Sequence, residues 1–577
     1  MTPPASVIWI PPEDDPAIQA AAASLSTELS LPRPLAQLLA RRGYTDPARA
    51  RDFLEPRLQR LADPFELPEM SAAVHRIFAA IDAREPITLY GDYDVDGVSS
   101  LALMAEVLAG YGANPACFLP HRMDEGYGLS ADGVARCRAE HQTSLLIAVD
   151  CGTVSIDEIA SLKSAGVDCI VLDHHEPGSR RPDCVALVNP KFDPTGAGRC
   201  LCSVGIAFKV CHALLKTRPQ PGYDLKLALD LVALGTVADI VPLVEENRAL
   251  VRRGLIELAR TQRPGLRALM DVAGLGGASL RTTDISFRLG PRLNAAGRLG
   301  TAQAALELLQ TKDRARASEL ASNLHRQNAE RQEVERSTLA AADEIIRSSG
   351  VAVADLAAIV VGGRGWHPGV LGIVAARLLR THHRPAIVVG FDNDGLGKGS
   401  GRSFEGLALV EALQACAEWL EQFGGHEMAA GLTLSEAKFA GFQFAFQEFA
   451  RTRLSADQLR PKLRFDAEVS LDQLDDEFWE HLERFAPFGT GNPEPIFLAR
   501  GVMPAGPSRI LKEKHLRVSL RQPGRSGGMV HAGIFFNGAN PAPPPPPWDI
   551  AFHLDENEWN GETRRQWRIV ALRSAEF

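Results

Sequence analysis

Carboxylates recur in this sequence at the ends of short apolar runs. Asp92, Asp94 and Asp96 alternate within the segment YGDYDVDG, directly after the run ITLY (87–90). Asp150 directly follows a second apolar run, LLIAV. A lone aspartate in such a place most often caps a helix or begins a turn. For any one of these residues, that interpretation is sufficient.

The same placement extends to two histidines and a further aspartate. Asp173, His174 and His175 directly follow the run CIVL, and Asp239 ends the stretch VALGTVA. In open α/β sheets, ligands bind at the carboxyl ends of the strands, so these side chains are predicted to converge. So many negative charges, packed closely, would repel one another strongly unless a cation lay between them. The set as a whole therefore favours a metal site over a series of independent caps.

The donor types indicate which metal such a site would hold. Oxygen-rich ligands with one or two imidazoles favour Mn²⁺ or Mg²⁺ over zinc, which prefers sulfur and nitrogen. Two ions about 3.5–4 Å apart, bridged by a shared carboxylate, form the arrangement that cleaves phosphate esters with water. The nine cysteines offer no better site, because Cys200 and Cys202 form a lone C-x-C without a second pair. We expect them to be buried, reduced thiols.

The segments between these residues predict the elements that position them. From Pro86 onward, short apolar runs alternate with helix-like segments, the pattern of a parallel, doubly wound sheet. Residues 312–348 lack Pro and Gly and carry a thin apolar stripe from Leu320 to Ile345, which predicts a long connecting helix. The predicted segments are an N-terminal helical element (1–75), an α/β domain (76–311), the connecting helix (312–348), a second α/β domain (349–456) and a small β-barrel (457–577).

Composition narrows the class of protein. The chain has 577 residues, 45% of them apolar and 23% charged, which excludes a largely disordered protein. Its net charge of -9 has the wrong sign for coating nucleic acid by bulk charge alone. No apolar run approaches the roughly 18 residues of a transmembrane helix, and the N-terminus has no basic region followed by an apolar stretch. We therefore predict a cytoplasmic protein.

Three further segments could contact phosphates. The glycine-rich segments 362–372 and 397–406 lead into predicted helices, whose first N–H groups can cradle anions. Neither matches a Walker A or dinucleotide fingerprint, so ATP and NAD are not implied. The segment GPRLNAAGRLG pairs Arg292 and Arg298 with small residues, which suits phosphate binding. A simple turn with solvated arginines explains this last segment equally well.

The ordered motifs extend along nearly the whole chain. Asp-His-His after a strand, with an upstream D-x-D and a downstream Asp, resembles the DHH phosphoesterase superfamily. Within it, the sequence is similar to the RecJ family of single-strand-specific 5′→3′ DNA exonucleases. The motifs that carry this resemblance include LLARRG, FLEP, YGDYDVDG, VDCGT, LDHHEPG, LVNPK, GTVADIVPL, RQNAERQ, GWHPGVLGIVAARL, GSGRS, FGGHEMAAG and FAPFGTGNPEPIF.

The resemblance implies a fold and a set of roles. The fold is a DHH-type sheet domain joined by the long helix to a second, DHH-associated α/β domain, followed by an OB-like β-barrel. Asp150 would bridge two ions of Mn²⁺ or Mg²⁺, while Asp92 and His175 would be catalytic neighbours, with His175 facing the scissile phosphate. Related enzymes can place a histidine where Tyr90 stands, so Tyr90 is left out. The implied metal ligands are Asp94, Asp96, Asp150, His174 and Asp239.

The resemblance also assigns substrate contacts and partners. The second domain would grip single-stranded DNA, although His367 alone would more often be packed and Arg402 alone solvated. Residues 501–577 carry ten Lys and Arg against seven Asp and Glu, which suits a barrel that binds single strands. The implied substrate-binding residues are Arg292, Asn294, Arg298, Trp366, His367, Arg402, Ser403 and His426.

The predicted function is degradation of single-stranded DNA to mononucleotides in DNA repair and recombination. Its implied protein partners are a single-strand-binding protein and a RecQ-type helicase, acting with a monomeric enzyme away from membranes. One alternative is a nano-RNase or nucleotide phosphatase of the same superfamily, but such chains usually lack the barrel. Another is a non-catalytic replication scaffold, but a decayed site should have lost ligands, and here all are present.

Overall fold

The computed structural model describes residues 7–121, 125, 128–276, 279–299, 301–523, 529–559 and 562–575. Residues 1–6 of the predicted N-terminal element and Gly300 of the predicted phosphate-binding segment therefore lie outside the described residues. None of the described helices has both the length and the apolar composition needed to cross a bilayer. The chain forms two compact units, one comprising Leu58–Leu459 and Gly489–Gly491, the other Met1–Arg57, Arg460–Phe488 and Asn492–Phe577.

The first sheet of the larger unit confirms the predicted doubly wound architecture. Its five strands are all parallel, and the central ones are buried along their length, as expected for apolar runs covered by helices on both faces. In spatial order the strands are Ala116–Phe118, Ile87–Gly91, Leu145–Val149, Asp168–Leu172 and Ala186–Val188.

Helices surround this sheet and form most of the unit's core. They include Met70–Ala83, Val95–Gly110, Ala131–Glu140, Ile156–Ser164, Ser203–Thr217, Leu229–Ala238, Glu245–Ala259, Pro264–Val272, Gly290–Leu299 and Gln303–Gln310. The helix Gly290–Leu299 is preceded by a π-helical turn, Ile285–Leu289. The segment that contains Arg292 and Arg298 is thus a helix and not a simple turn.

One helix, Arg314–Ser348, leads from this part of the unit to the second sheet. Its 35 residues span about 50 Å. Leu320 is buried as the apolar stripe predicts, whereas Ile345 is exposed and its neighbour Ile346 takes the buried position. The buried face also carries an ion pair, because Glu335 contacts both Arg331 at 2.7 Å and Arg377 at 2.5 Å. The apolar stripe is thin because charged residues take some of the buried positions on this face of the helix.

The second sheet is mixed. Its strands are, in spatial order, Gln422–Gly425, Ala429–Ser435, Leu396–Arg402, Ala386–Phe391 and Ile359–Arg364, and the last two are parallel. The helices Pro368–His382, Leu409–Ala415 and Phe439–Arg453 accompany them. This arrangement confirms a second α/β domain after the long helix.

The smaller unit is built on the predicted barrel. Its sheet has the strands Ala467–Glu468, Phe497–Pro504, Trp548–Trp559, Glu562–Ser574, His531–Phe535, His515–Arg521 and Arg509–Leu511. A further pairing of Met503 with Arg521 joins strands that are not neighbours in that order, as closure of a barrel requires. The C-terminal barrel of the predicted fold is therefore confirmed.

The N-terminal helices share the core of this barrel. Pro16–Leu29, Arg33–Arg41 and Pro47–Leu54 bury leucines such as Leu25 and Leu35 in one cluster with Phe485 and Phe497 of the barrel region. Residues 8–10 also pair in parallel with residues 462–464. By contrast, residues 58–75, which the sequence places with the N-terminal element, belong to the larger unit.

Candidate metal centre

The turn after the first strand packs three aspartates against the start of a helix. Asp94 caps the helix Val95–Gly110, because its Oδ1 accepts hydrogen bonds from the N–H groups of Asp96 at 2.9 Å and Gly97 at 3.0 Å. A Cβ atom on Gly97 would lie 2.3 Å from the main-chain oxygen of Asp92, so only glycine permits this close approach. Asp94 therefore caps the helix in the same turn that brings the three carboxylates close together.

Asp150 leaves the next strand in an unusual conformation. Its φ is +65°, a left-handed conformation that costs most residues energy. The side chain is buried, and its Oδ1 accepts a hydrogen bond from Ser203 Oγ at 2.9 Å. Strained backbone of this kind accumulates at functional sites, where the surroundings compensate for its cost.

The three side chains of the Asp-His-His turn have two different roles. Asp173 accepts hydrogen bonds within its own surroundings, from the N–H of Thr153 at 3.0 Å and from Nδ1 of His175 at 2.6 Å. Burial alone would raise the pKa of Asp173, but these hydrogen bonds hold that pKa below its usual range. Asp173 is therefore ionised and orients the turn, while the histidines point to the cluster.

His174 lies at the centre of the converging groups. Its Nε2 is 3.4 Å from Asp150 Oδ1, 3.5 Å from Asp239 Oδ2 and 4.0 Å from Asp96 Oδ2. Three sets of side chains each place their potential ligand atoms within 4.8 Å of one another, and Asp150 and His174 belong to two sets each. The sets are Asp150 with His174 and His175, Asp96 with His174 and Asp239, and Asp92 with Asp94 and Asp150. All the predicted ligands and both predicted catalytic neighbours thus converge.

Without a cation, this cluster is electrostatically unfavourable. Burial, followed by repulsion from Asp94, raises the pKa of Asp96 to about 7. Burial and neighbouring carboxylates raise the pKa of Asp239 to about 9 and also raise that of Asp150 well above its usual value. Burial and the nearby His175 lower the pKa of His174 to about 4, so its imidazole is neutral and able to bind a metal.

The donor set fits a hard divalent cation. Nε2 of His174 and Oδ2 of Asp239 are buried and have no hydrogen-bond partner in the part of the chain that the structure describes. Unsatisfied buried polar atoms are costly and call for an unseen partner such as an ion. Carboxylate oxygens with one or two imidazoles match Mn²⁺ or Mg²⁺.

One residue at the centre was missed by the sequence analysis. Ser203 begins the helix Ser203–Thr217, and its N–H donates to Asp96 Oδ2 at 2.7 Å, while the N–H of Val204 donates to Asp96 Oδ1 at 2.8 Å. The start of this helix therefore holds one carboxylate through two main-chain donors. The segment CSVGIAF contains no typical ligand pattern that could have indicated this role.

Tyr90 takes no part in the cluster. Its hydroxyl donates to the main-chain oxygen of Gly128 at 3.1 Å, and its ring stacks on Phe118 at 5.0 Å. Burial raises the pKa of Tyr90 above its usual value, so the phenol stays neutral. Leaving Tyr90 out of the predicted ligands agrees with this position.

The helix Gly290–Leu299 connects the metal cluster to the second α/β domain. A Cβ atom on Gly297 would lie 3.2 Å from the main-chain oxygen of Tyr93, in the aspartate turn. The next residue, Arg298, donates to the main-chain oxygen of Gly369 at 3.1 Å, at the start of the helix Pro368–His382. Arg292 is on the same helix and donates to His325 at 3.2 Å, and Asn294 is half-buried there.

The start of the helix Pro368–His382 gathers two of the predicted substrate residues. His367 caps it, because its Nδ1 accepts from the N–H of Gly369 at 3.0 Å. Arg402 lies over its first turns, since a Cβ atom on Gly372 would be 2.9 Å from Nη2 of Arg402. Burial lowers the pKa of Arg402 without removing its charge near neutral pH. A cation and a helix N-terminus together favour an anionic ligand.

Three other predicted substrate residues have mainly structural contacts. The ring of Trp366 packs over Gly363, where a Cβ atom would lie 2.3 Å away. Ser403 is buried and donates to the main-chain oxygen of Leu407 at 2.7 Å. The N–H of His426 donates to the oxygen of Ala429 at 2.8 Å, and its side chain is exposed.

Comparison with known proteins identifies the family. Family models match three regions: the DHH family, N-terminal domain over 86–236, the DHHA1 domain over 349–452 and the RecJ OB domain over 465–571. The single-stranded-DNA-specific exonuclease RecJ of Bacillus subtilis is 37% identical over 558 residues, which cover 95% of this chain and 68% of that protein. The chain belongs to the RecJ family. RecJ of Dickeya dadantii is 36% identical, with 95% of this chain and 97% of that protein covered.

A solved RecJ structure shares the fold. RecJ from Thermus thermophilus, in complex with Mn²⁺, superimposes with a TM-score of 0.82 at 31% identity, covering 99% of this chain and 80% of that one. A second structure of the Thermus RecJ contains Mg²⁺ and gives a TM-score of 0.77. The resemblance inferred from the motifs and the fold it implied are thus confirmed.

Proposed function

We propose that this chain is a metal-dependent exonuclease that degrades single-stranded DNA from the 5′ end to mononucleotides, in DNA repair and recombination. One observation carries the proposal. Carboxylates and imidazoles from four strand or helix ends meet around His174 in a chain of the RecJ family, with Asp150 and His174 each shared between two candidate metal sets. Shared ligands are what a pair of ions acting on one phosphodiester requires.

We assign the metal ligands as Asp94, Asp96, Asp150, His174 and Asp239, with Asp150 as the bridging residue. Bound Mn²⁺ or Mg²⁺ supplies Lewis-acid stabilisation of the charge that builds on the phosphate and lowers the pKa of attacking water. The chain's contribution is to fix the ligands before the substrate arrives. The left-handed turn at Asp150 and the helix start at Ser203 both serve this purpose.

Asp92 and His175 complete the site as catalytic neighbours. Burial opposes protonation of His175, but its hydrogen bond to Asp173 raises the pKa of His175 above the usual value. An ionised carboxylate can only accept, so Nδ1 carries the proton in this hydrogen bond. The ring is therefore held in one orientation, and we place it against the scissile phosphate. Hydrolysis there breaks the bond to the 3′ oxygen of the terminal nucleotide.

We assign the grip on the DNA strand to the second domain and the barrel. Arg298, His367 and Arg402 surround the start of the helix Pro368–His382, which the helix Gly290–Leu299 links to the aspartate turn. Arg292 and Asn294 would extend this surface along the latter helix. The mildly basic barrel would add phosphate contacts and stacking, as OB-folds do.

The alternatives are less well supported. A nano-RNase or nucleotide phosphatase would not need a C-terminal RecJ OB domain, which matches here over 465–571. A non-catalytic scaffold would not need a complete ligand set. We further propose that the enzyme acts as a monomer in the cytoplasm, with a single-strand-binding protein and a RecQ-type helicase as partners.

A direct test uses full-length protein, MnCl₂ and single strands labelled separately at the 5′ and 3′ ends. We expect immediate release of the 5′ label as a mononucleotide, and no release with EDTA or with Asp150→Asn. First release of the 3′ label would overturn the polarity. Undiminished cleavage by Asp150→Asn would overturn the assignment of the metal centre.

A further inference from the structure

Ser203 contacts two of the assigned metal ligands at once. Its N–H lies 2.7 Å from Asp96 Oδ2, and its hydroxyl oxygen lies 2.9 Å from Asp150 Oδ1. These aspartates come from different strand ends, and Ser203 comes from a third place, the first turn of the helix Ser203–Thr217. A single buried residue thus fixes the distance between two ligands.

The hydroxyl is not used for capping its own helix. The N-cap of that helix is Cys202, which makes no side-chain capping bond, and the Ser203 hydroxyl is directed to Asp150. Asp150 Oδ1 accepts this hydrogen bond on one side and faces His174 Nε2 at 3.4 Å on the other. The bond therefore restrains the rotation of the carboxylate that is shared between two candidate metal sets.

The surroundings leave Asp96 little freedom to compensate. A Cβ atom on Gly235 would lie 2.7 Å from Val204 and 3.0 Å from Asp96 Oδ1, so a second helix closes over the same carboxylate. Both oxygens of Asp96 accept main-chain hydrogen bonds. Ser203 therefore links the two carboxylates, because its N–H donates to Asp96 and its hydroxyl donates to Asp150.

We propose that Ser203 is a positioning residue of the metal centre, whose hydroxyl holds the Asp150 carboxylate in the orientation that binds the divalent cations. This proposal rests on the proposed function of the site. Groups that orient metal ligands in this way typically contribute 10–100-fold to metal affinity or activity. A role limited to folding would instead change stability and leave the affinity for metal unchanged.

The test compares Ser203→Ala, Ser203→Gly and Ser203→Thr in the full chain. Ser203→Ala keeps the N–H to Asp96 and removes only the hydroxyl, and Ser203→Gly keeps the same N–H but removes the whole side chain, so the two variants test the loss of the hydroxyl independently. Ser203→Thr retains a hydroxyl and should rescue. The matched control is Thr338→Ala, which removes a buried hydroxyl that donates to Val334 in the long helix at 2.8 Å.

Binding of MnCl₂ to metal-free protein is measured by calorimetry, and the MnCl₂ concentration for half-maximal exonuclease rate is measured in parallel. We expect the alanine and glycine variants to bind Mn²⁺ about tenfold more weakly, with activity largely restored at high MnCl₂, and the control to match the wild type. Wild-type Mn²⁺ affinity in both hydroxyl-free variants would overturn the proposal. Absence of Mn²⁺ binding and hydrolysis in the wild type would instead reject the proposed function itself.

Discussion

Nδ1 of His175 lies 2.6 Å from Oδ1 of Asp173, a carboxylate that also accepts several hydrogen bonds from the main chain. The N–H groups of Thr153, His174 and His175 donate to it at 3.0, 2.8 and 3.2 Å. The Asp173 carboxylate therefore acts as a fixed anion that orders the whole Asp-His-His turn. It does so from outside the set of assigned metal ligands.

Replacing this anion by an amide should disable the turn. In Asp173→Asn, the NH₂ group must face an N–H donor, and His175 loses its charged acceptor. We expect turnover to fall at least about tenfold and the melting temperature to drop. The control is Asp168→Asn, a partly exposed carboxylate that pairs with Arg76. Wild-type turnover in Asp173→Asn would show that His175 needs no oriented partner.

Because the backbone of Asp150 is left-handed, two substitutions at this position can distinguish its chemical role from its conformational role. Asparagine adopts positive φ more readily than alanine. We expect Asp150→Asn and Asp150→Ala both to lose hydrolysis, while the alanine variant is less stable than the asparagine variant by roughly 1–2 kcal/mol. Chemical denaturation of the two metal-free variants measures this difference. Equal stabilities would show that the turn carries no such strain.

Because the pKa values in the cluster are raised, a rise in pH should lower the stability of the metal-free protein and increase the stabilisation that metal provides. Because the pKa of Asp96 is about 7 and that of Asp239 about 9 when folded, the folded metal-free state binds more protons than the unfolded state above about pH 4. Its stability should therefore fall as pH rises. A bound cation replaces those protons, so the rise in melting temperature caused by MnCl₂ should increase from pH 6 to pH 8.5.

Thermal melts in EDTA and in MnCl₂ across this range provide the measurement. Asp239→Asn should flatten the pH dependence of the metal-free protein, because it removes the carboxyl whose pKa is raised to about 9. A gain from MnCl₂ that stays constant with pH would contradict the proton–metal exchange.

The hairpin of the barrel offers a test of its part in DNA binding. Lys512 and Lys514 lie in the turn between the barrel strands Arg509–Leu511 and His515–Arg521, and Arg517 lies within the second strand. Lys512 has φ +48°. Replacing Lys512 by Asn, which suits this φ, and the other two by Ala should weaken binding of single strands. Each lost phosphate contact should reduce the slope of log K against log salt by about 0.7.

The matched control is Lys163→Ala with Lys438→Ala, since both lysines already pair with an acidic residue. Turnover on a saturating short substrate should stay near the wild-type value in both variants. An unchanged salt slope in the hairpin variant would remove these three residues from the DNA interface.

Much of the metal centre could be predicted because it follows from topology. Asp92, Asp150 and His174 leave parallel strands at the same edge, so a pattern of apolar runs followed by ligand residues brings them together. Ser203 could not be found in this way. It lies 53 residues from Asp150 along the chain, and its contact depends on where its own helix, Ser203–Thr217, begins.

Packing between distant segments was equally hidden from the sequence. The resemblance assigns Trp366 to contact with single-stranded DNA, but no pattern in the sequence indicates that its ring lies over Gly363 beside the core of the second domain. Likewise, the period of the N-terminal helices indicates an apolar face without indicating its partner. That partner is the barrel, whose residues begin beyond position 460.

This shared core has a consequence for biosynthesis. A ribosome that adds about 5–20 residues per second completes Leu25 and Leu35 tens of seconds before it makes Phe485 and Phe497. During that interval the apolar faces of the N-terminal helices lack the barrel residues of their shared core, whereas the larger unit can begin to fold from contiguous chain. We expect nascent chains to need a chaperone at this stage, and truncation before residue 460 to yield aggregates, because it removes the barrel's part of the cluster that buries these leucines.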